Sequence, residues 1–152
     1  MLKEDAMWFA VSLRIMGDSF DPTQLESLLG LVPDTIGIRG QPRVGKAGRT
    51  YAPYRTNLWS YREESDSEIG FDQQIRSLFA RLGPRTSVLR QLAATDGLDV
   101  ELFCGFGSGN GQGGDTIRPD TLRLLVDAGV SLGLDLYPPD IDTSEAYMEG
   151  TP

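Results

Sequence analysis

Apolar and polar residues alternate from Trp8 to Met16. Phe9, Val11, Leu13 and Ile15 fall on one side, with Ser12 and Arg14 on the other. A period of two is that of a strand with one buried face. Gly17-Asp18-Ser19 ends it, and Asp21-Pro22 then supplies an N-cap and a proline at the first helical position. Leu25, Leu28 and Leu29 give that short helix its apolar stripe, up to Gly30. Asp34 to Arg39 predicts a weaker strand around Ile36 and Ile38, and Leu58, Trp59 and Tyr61 mark the next one. Phe71, Ile75, Leu78, Phe79 and Leu82 share one helical face, and Val88, Leu89 and Leu92 follow a Gly83-Pro84 break. That spacing predicts a kinked helix or two stacked helices. Val100, Leu102, Cys104 and Phe106 alternate as a strand, Pro119 opens a helix carrying Leu122, Leu125 and Val126, and Leu132, Leu134 and Leu136 form the last strand. Pro138-Pro139 stops it.

The order is therefore βαββαβαβ, and a strand, a proline-started helix and a strand occur at both ends. It predicts an α+β two-layer sandwich: a mixed sheet of about five strands with helices on one face, related to the ferredoxin-like pattern. Residues 1–138 read as a single domain. Residues 139–152, with Asp140, Asp142, Glu145 and Glu149 and no basic residue, read as an acidic and flexible C-terminal tail.

Composition narrows the chemistry. The 152 residues include no histidine and one cysteine, Cys104, which removes most of the usual equipment for nucleophilic catalysis and transition-metal binding. With 39% hydrophobic and 24% charged residues the chain reads as a soluble globular domain. The first residues show no signal-peptide pattern, no apolar run is long enough for a membrane span, and one cysteine forms no internal disulfide. Those features together predict a cytoplasmic protein.

The net charge is −8. It disfavours nucleic acid, whose binding needs a broad positive field. Yet Arg39, Arg43, Lys46, Arg49, Arg55 and Arg62 follow one another without an acidic residue between them. Tyr51, Tyr54, Trp59 and Tyr61 are interleaved with them, a composition suited to acidic groups meeting cations and aromatic rings. A solvated hairpin loop with its aromatics folded onto the sheet has the same composition.

Three further features each have a plain structural reading beside the functional one. Gly109, Gly111 and Gly114 satisfy G-x-G-x-x-G within the glycine-rich stretch from Gly105 to Asp115, and Asp135 follows at the distance of a ribose-binding carboxylate. Helix formation begins only near Pro119, which favours a simple connecting loop. Cys104, between Leu102 and Phe106 in an alternating strand, reads as a core residue. Glu63, Glu64, Asp66 and Glu68, and separately Asp99 and Glu101, are carboxylate groupings of the kind found on solvated edges.

Several phrases together resemble one bacterial family: Ser12-Leu13-Arg14-Ile15, Asp21-Pro22 with Leu25, Leu28-Leu29-Gly30-Leu31, Leu58-Trp59-Ser60, Cys104-Gly105-Phe106 and Leu132-Gly133-Leu134-Asp135-Leu136-Tyr137. The chain is similar over Trp8 to Tyr137 to the family catalogued as domain of unknown function 4279. The resemblance implies a small bacterial cytoplasmic domain and brings no catalytic residues with it.

The resulting expectation is a non-enzymatic protein-binding module, of inhibitor or immunity type, without a cofactor or metal. Its partner would be another protein with an acidic surface, held by Arg43, Lys46, Arg49, Tyr51, Tyr54 and Arg55. Nucleic acid and membrane are not expected partners. The alternatives are a small-molecule or nucleotide-phosphate site in the 105–115 loop, and a structural accessory domain.

Overall fold

A computed structural model describes residues 6–139, apart from the side chain of Lys46. The period-two pattern builds the centre of the sheet. Strand β1 (Met7–Gly17) turns Phe9, Val11, Leu13 and Ile15 inward, all of them buried, and leaves Ala10, Ser12 and Arg14 half-buried on the other side. Four more strands join it: β2 (Thr35–Gly37), β5 (Asn57–Arg62), β6 (Leu98–Ser108) and β7 (Ser131–Leu136). Their order is β2-β5-β1-β6-β7. All neighbours are antiparallel except β6 and β7, which run parallel. Strand β5 lies between β1 and β2, and β1 between β5 and β6, so the first four form the split βαβ arrangement of a ferredoxin-like sheet. The mixed sheet and the α+β class match the expectation from sequence.

Two more short strands, β3 (Arg43–Val44) and β4 (Thr50–Tyr51), pair as a separate hairpin inside the basic segment. The sequence showed only a loop there, because two-residue strands carry no readable period.

The helices cover one face. Asp21 caps a 3-10 turn by accepting from the Thr23 N–H at 3.0 Å, and that turn leads into α1 (Leu25–Leu29), which Gly30 ends at φ 69°. The long apolar stretch is two helices, α2 (Phe71–Leu82) and α3 (Thr86–Ala93). They are separated by a turn at Gly83, whose φ of 53° admits a side chain poorly. Helix α4 (Pro119–Ala128) crosses from β6 to β7. Ile75, Leu78, Leu82, Leu89 and Leu125 from these helices share one core with Leu13, Trp59, Leu102 and Cys104 from the sheet. Each fully buried large side chain contributes about 1.5–3 kcal/mol. Among the described residues no helix is long and apolar enough to cross a membrane.

Several expectations need correction. Leu122 and Val126 do not face the core; they are 42% and 76% exposed, and α4 buries Thr121, Leu125 and Ala128 instead. Leu132, Leu134 and Leu136 are also exposed, since β7 is an edge strand that the helices leave largely uncovered. The acidic cluster is not uniformly solvated: Glu63 is buried, accepting at 2.8 Å from Arg81, while Glu64, Asp66 and Glu68 are exposed. Residues 140–152, nearly all of the expected tail, lie outside the described residues.

Candidate binding face

Among the described residues the face of the sheet turned away from the helices is bare, and its centre is a shallow concavity of about 480 Å³. Small residues make its floor: Ala10 and Ser12 of β1 and Gly105 of β6. Larger side chains make its walls: Trp8, Arg14, Arg62, Phe103 and Tyr137. Register brings them together. Ser12 pairs with Arg62 on one side and Phe103 on the other, while Arg14 pairs with Ser60 and Glu101.

The glycines of β6 receive their explanation here. A side chain at Gly107 would land on the Trp8 indole, and one at Gly105 would press Trp8 at 3.3 Å and Tyr137 at 3.6 Å. Trp8 therefore lies flat across the strand only because both positions are glycine. Tyr137 tilts against it, with ring centroids 5.1 Å apart. The neighbouring Asp135 carboxylate, hydrogen-bonded to the phenol, holds the Tyr137 pKa above its ordinary value.

Two cations stand over this floor. Arg14 lies with its guanidinium carbon 3.6 Å from the centroid of the Phe103 ring, a cation–π contact that fixes its orientation. Ion pairs among the described residues join Arg39 to Asp18, Arg76 to Asp72, Arg81 to Glu63 and Glu64, and Arg123 to Asp120. Neither Arg14 nor Arg62 takes part in one. Glu101, directly opposite Arg14 in the register, and Asp135 lie on the same face, so the cations arise from β1 and β5 and the carboxylates from β6 and β7.

The basic segment lies farther toward β2. A side chain at Gly37 would strike the Tyr54 ring, so Tyr54 rests on β2 on the bare side of the sheet. Arg43 lies 5.4 Å above that ring. Tyr51 packs on Gly45 within the hairpin, and Arg49 and Arg55 are exposed. Lys46 lies in the turn between β3 and β4. None of the six residues singled out from sequence lines the concavity; Tyr54, with Arg43 over its ring, lies on the same side of the sheet, beyond the concavity's lining.

Sequence reasoning missed Trp8, Arg14, Phe103 and Tyr137. Their signal was available in the polar register of β1 and in glycines at a two-residue spacing in β6, opposite a tryptophan.

The other candidates have structural settings. Gly105 and Gly107 belong to β6, and the loop that follows sends Asp115 to the N-terminus of α2, where it accepts from the Asp72 N–H at 3.1 Å. Asp72 in turn accepts from the Arg118 N–H at 2.8 Å, at the start of α4. Two helix N-termini beside the loop thus already hold carboxylates, as anion-binding helix ends favour. The Arg118 N–H bond holds the Asp72 carboxyl below its ordinary pKa. Cys104 is fully buried, and desolvation pushes its thiol up to about 12. Asp99 and Glu101 lie on the side opposite Cys104, as the alternation required. No group of three or more metal-ligating side chains occurs among the described residues.

No curated protein and no solved structure matches the chain significantly. Residues 7–139 match the family described as Domain of unknown function (DUF4279), a span running from the first residue of β1 to just beyond β7, and the chain belongs to that family.

Proposed function

We propose that this is a non-enzymatic binding domain that holds an acidic segment of another protein along the bare face of its sheet. The observation that carries the reading is the placement of Arg14 and Arg62: two guanidiniums outside the ion pairs of the described residues, one stacked on Phe103, beside the rings of Trp8 and Tyr137. Guanidinium donors match carboxylates in a bidentate geometry, and flanking aromatics bury the apolar parts of the same segment. Arg43 and Tyr54 lie farther along the same side of the sheet, toward β2. The chain's net charge of −8 makes this local patch selective, because an acidic partner is repelled elsewhere and steered here. The lack of histidine and the high thiol pKa of Cys104 support a role without catalysis.

Trp8 provides the assay. Titration with acidic and neutral peptides, followed by tryptophan emission, should give a saturable change for the acidic ones only, weakened by salt. Buried Trp59 contributes a constant background. The Arg14→Glu, Arg62→Glu double variant should abolish the change. Equal response to neutral peptides, or an unaltered response in the double variant, overturns the reading. The inhibitor or immunity-type role is a narrower assignment within it. Its test is whether a partner captured through this face loses its own activity in the complex.

A further inference from the structure

The two edges of the sheet are finished differently. Strand β2 is three residues long, follows Pro33, and carries the Tyr54 ring over Gly37. Strand β7 is six residues long, Ser131-Leu132-Gly133-Leu134-Asp135-Leu136, with no lysine, arginine or proline among them. The Tyr137 N–H donates to the Phe106 carbonyl at 2.9 Å. Odd-numbered residues therefore turn their amide groups to β6, and Leu132, Leu134 and Leu136 turn theirs to the open edge. The same leucines are 39%, 61% and 69% exposed and line an apolar groove of about 370 Å³ with Phe106 and Ile117. Among the described residues, backbone groups without a strand partner and apolar side chains coincide on this one strand, the combination that soluble proteins ordinarily block.

We propose that β7 pairs antiparallel with β7 of a second copy of this chain, about a two-fold axis through Leu134, making one continuous sheet from two. Symmetry and charge choose the register. In a two-fold antiparallel pair the residue numbers opposite each other have a constant sum. With the axis at Leu134, Leu132 faces Leu136 of the second copy, Leu134 faces itself, and Asp135 faces Gly133. Every outward amide of β7 then has a partner, and the leucines form one apolar surface over the joined grooves. An axis at Asp135 would set two carboxylates directly opposite each other, which is unfavourable. An axis at Gly133 would oppose Leu136 to Val130, a buried residue before the strand begins. The sequence is thus self-complementary in one register. The inference does not depend on the proposed function, but the two bare faces would lie side by side and offer two binding sites to one extended partner.

Sedimentation velocity of the full chain over a range of concentrations should show a species with the mass of two chains. High salt should favour it, because each copy carries a net charge of −8. Leu134→Lys should yield a monomer at every concentration, with far-ultraviolet circular dichroism and Trp59 emission unchanged. Leu134→Cys tests the register: the new thiol faces its own copy within disulfide reach, whereas Cys104 is buried. Mild oxidation should link Leu134→Cys chains into covalent dimers and leave Leu132→Cys chains unlinked. A wild-type chain that sediments as a monomer at all concentrations overturns the proposal. If the outward β7 amides of that monomer exchange slowly with solvent, residues 140–152 of the same chain cover the groove instead. Cross-linking of Leu132→Cys rather than Leu134→Cys overturns the register.

Discussion

Leu13 and Arg14 are adjacent in β1 and end on opposite faces of the sheet. Leu13 is fully buried among Trp59, Leu102 and the helices. Arg14 is half-buried, stacked on Phe103 above a floor of small residues. The helix-covered face is specified by packing, where volume and apolarity at each position are constrained by close neighbours. The bare face carries few such constraints, and its residues are arranged by backbone register and by glycines that admit flat aromatic rings. Stability is therefore concentrated on one face, and surface chemistry is left to the other.

The sharpest way to break that division is to truncate neighbours in β1. Leu13→Ala should lose about 2–5 kcal/mol in urea denaturation, because it removes buried methyl groups and leaves a cavity. Arg14→Ala should lose less than about 1 kcal/mol, as partly exposed substitutions away from a packed core do. Comparable losses for the two would show that the bare face is also part of the stability core.

A smaller effect is expected where the helical side uses charge. Glu63 is buried and bonded to Arg81, and its second carboxylate oxygen is buried without a hydrogen-bond partner among the described residues. Arg81→Ala should cost about 1–3 kcal/mol, less than a fully buried pair because Arg81 is itself 44% exposed on its side chain. The same denaturation experiment measures it, and Arg123→Ala, whose partner Asp120 is exposed, should change stability by less than about 0.5 kcal/mol.

On the bare face, Gly107→Ala should displace Trp8, costing about 1–2 kcal/mol and altering its near-ultraviolet circular dichroism. The helical core should keep its far-ultraviolet signal. An unchanged Trp8 environment would show that the glycines of β6 do not position this ring.

Cys104 gives no thermodynamic signal near neutral pH and a clear kinetic one. With its side chain buried and desolvation pushing its thiol up to about 12, alkylation in the native state near neutral pH should be far slower than in urea. The folded pKa is the raised one, so the associated stability is fully present below pH 9.0 and is lost as pH rises from there toward about 12. Asp72 works in the opposite sense. Its carboxyl is held below 3.8 by the Arg118 N–H, so its contribution is present above that pH and declines as pH falls through the lowered value. Asp72→Ala should flatten the acid limb of the stability curve. Fast native alkylation, or an unchanged acid limb, would remove the corresponding assignment.

Local signals read well. Alternation in β1 and β6, the Asp21-Pro22 helix start, the Gly83 break and the burial of Cys104 all depend on residues close in sequence, and the structure has each of them. Trp8, Arg62, Phe103 and Tyr137 were harder to see together because they come from β1, β5, β6 and the residue after β7. Only strand order makes them neighbours. The basic segment drew attention through composition, yet its Arg39 pairs with Asp18 and its Tyr51 folds onto its own hairpin. Leu122 and Leu134 had the periodicity of core residues and are exposed, because periodicity shows which residues share a side and not whether anything covers it.

The sequence by itself determined the types of the longer elements, the α+β class and the family, since these follow from local periodicity, capping chemistry and recognisable phrases along the chain. Tertiary structure alone decided which side of each element is covered. The insertion of β5 beside β1 and the placement of β7 at an edge are pairings between distant segments, and long-range pairing leaves no mark in local spacing.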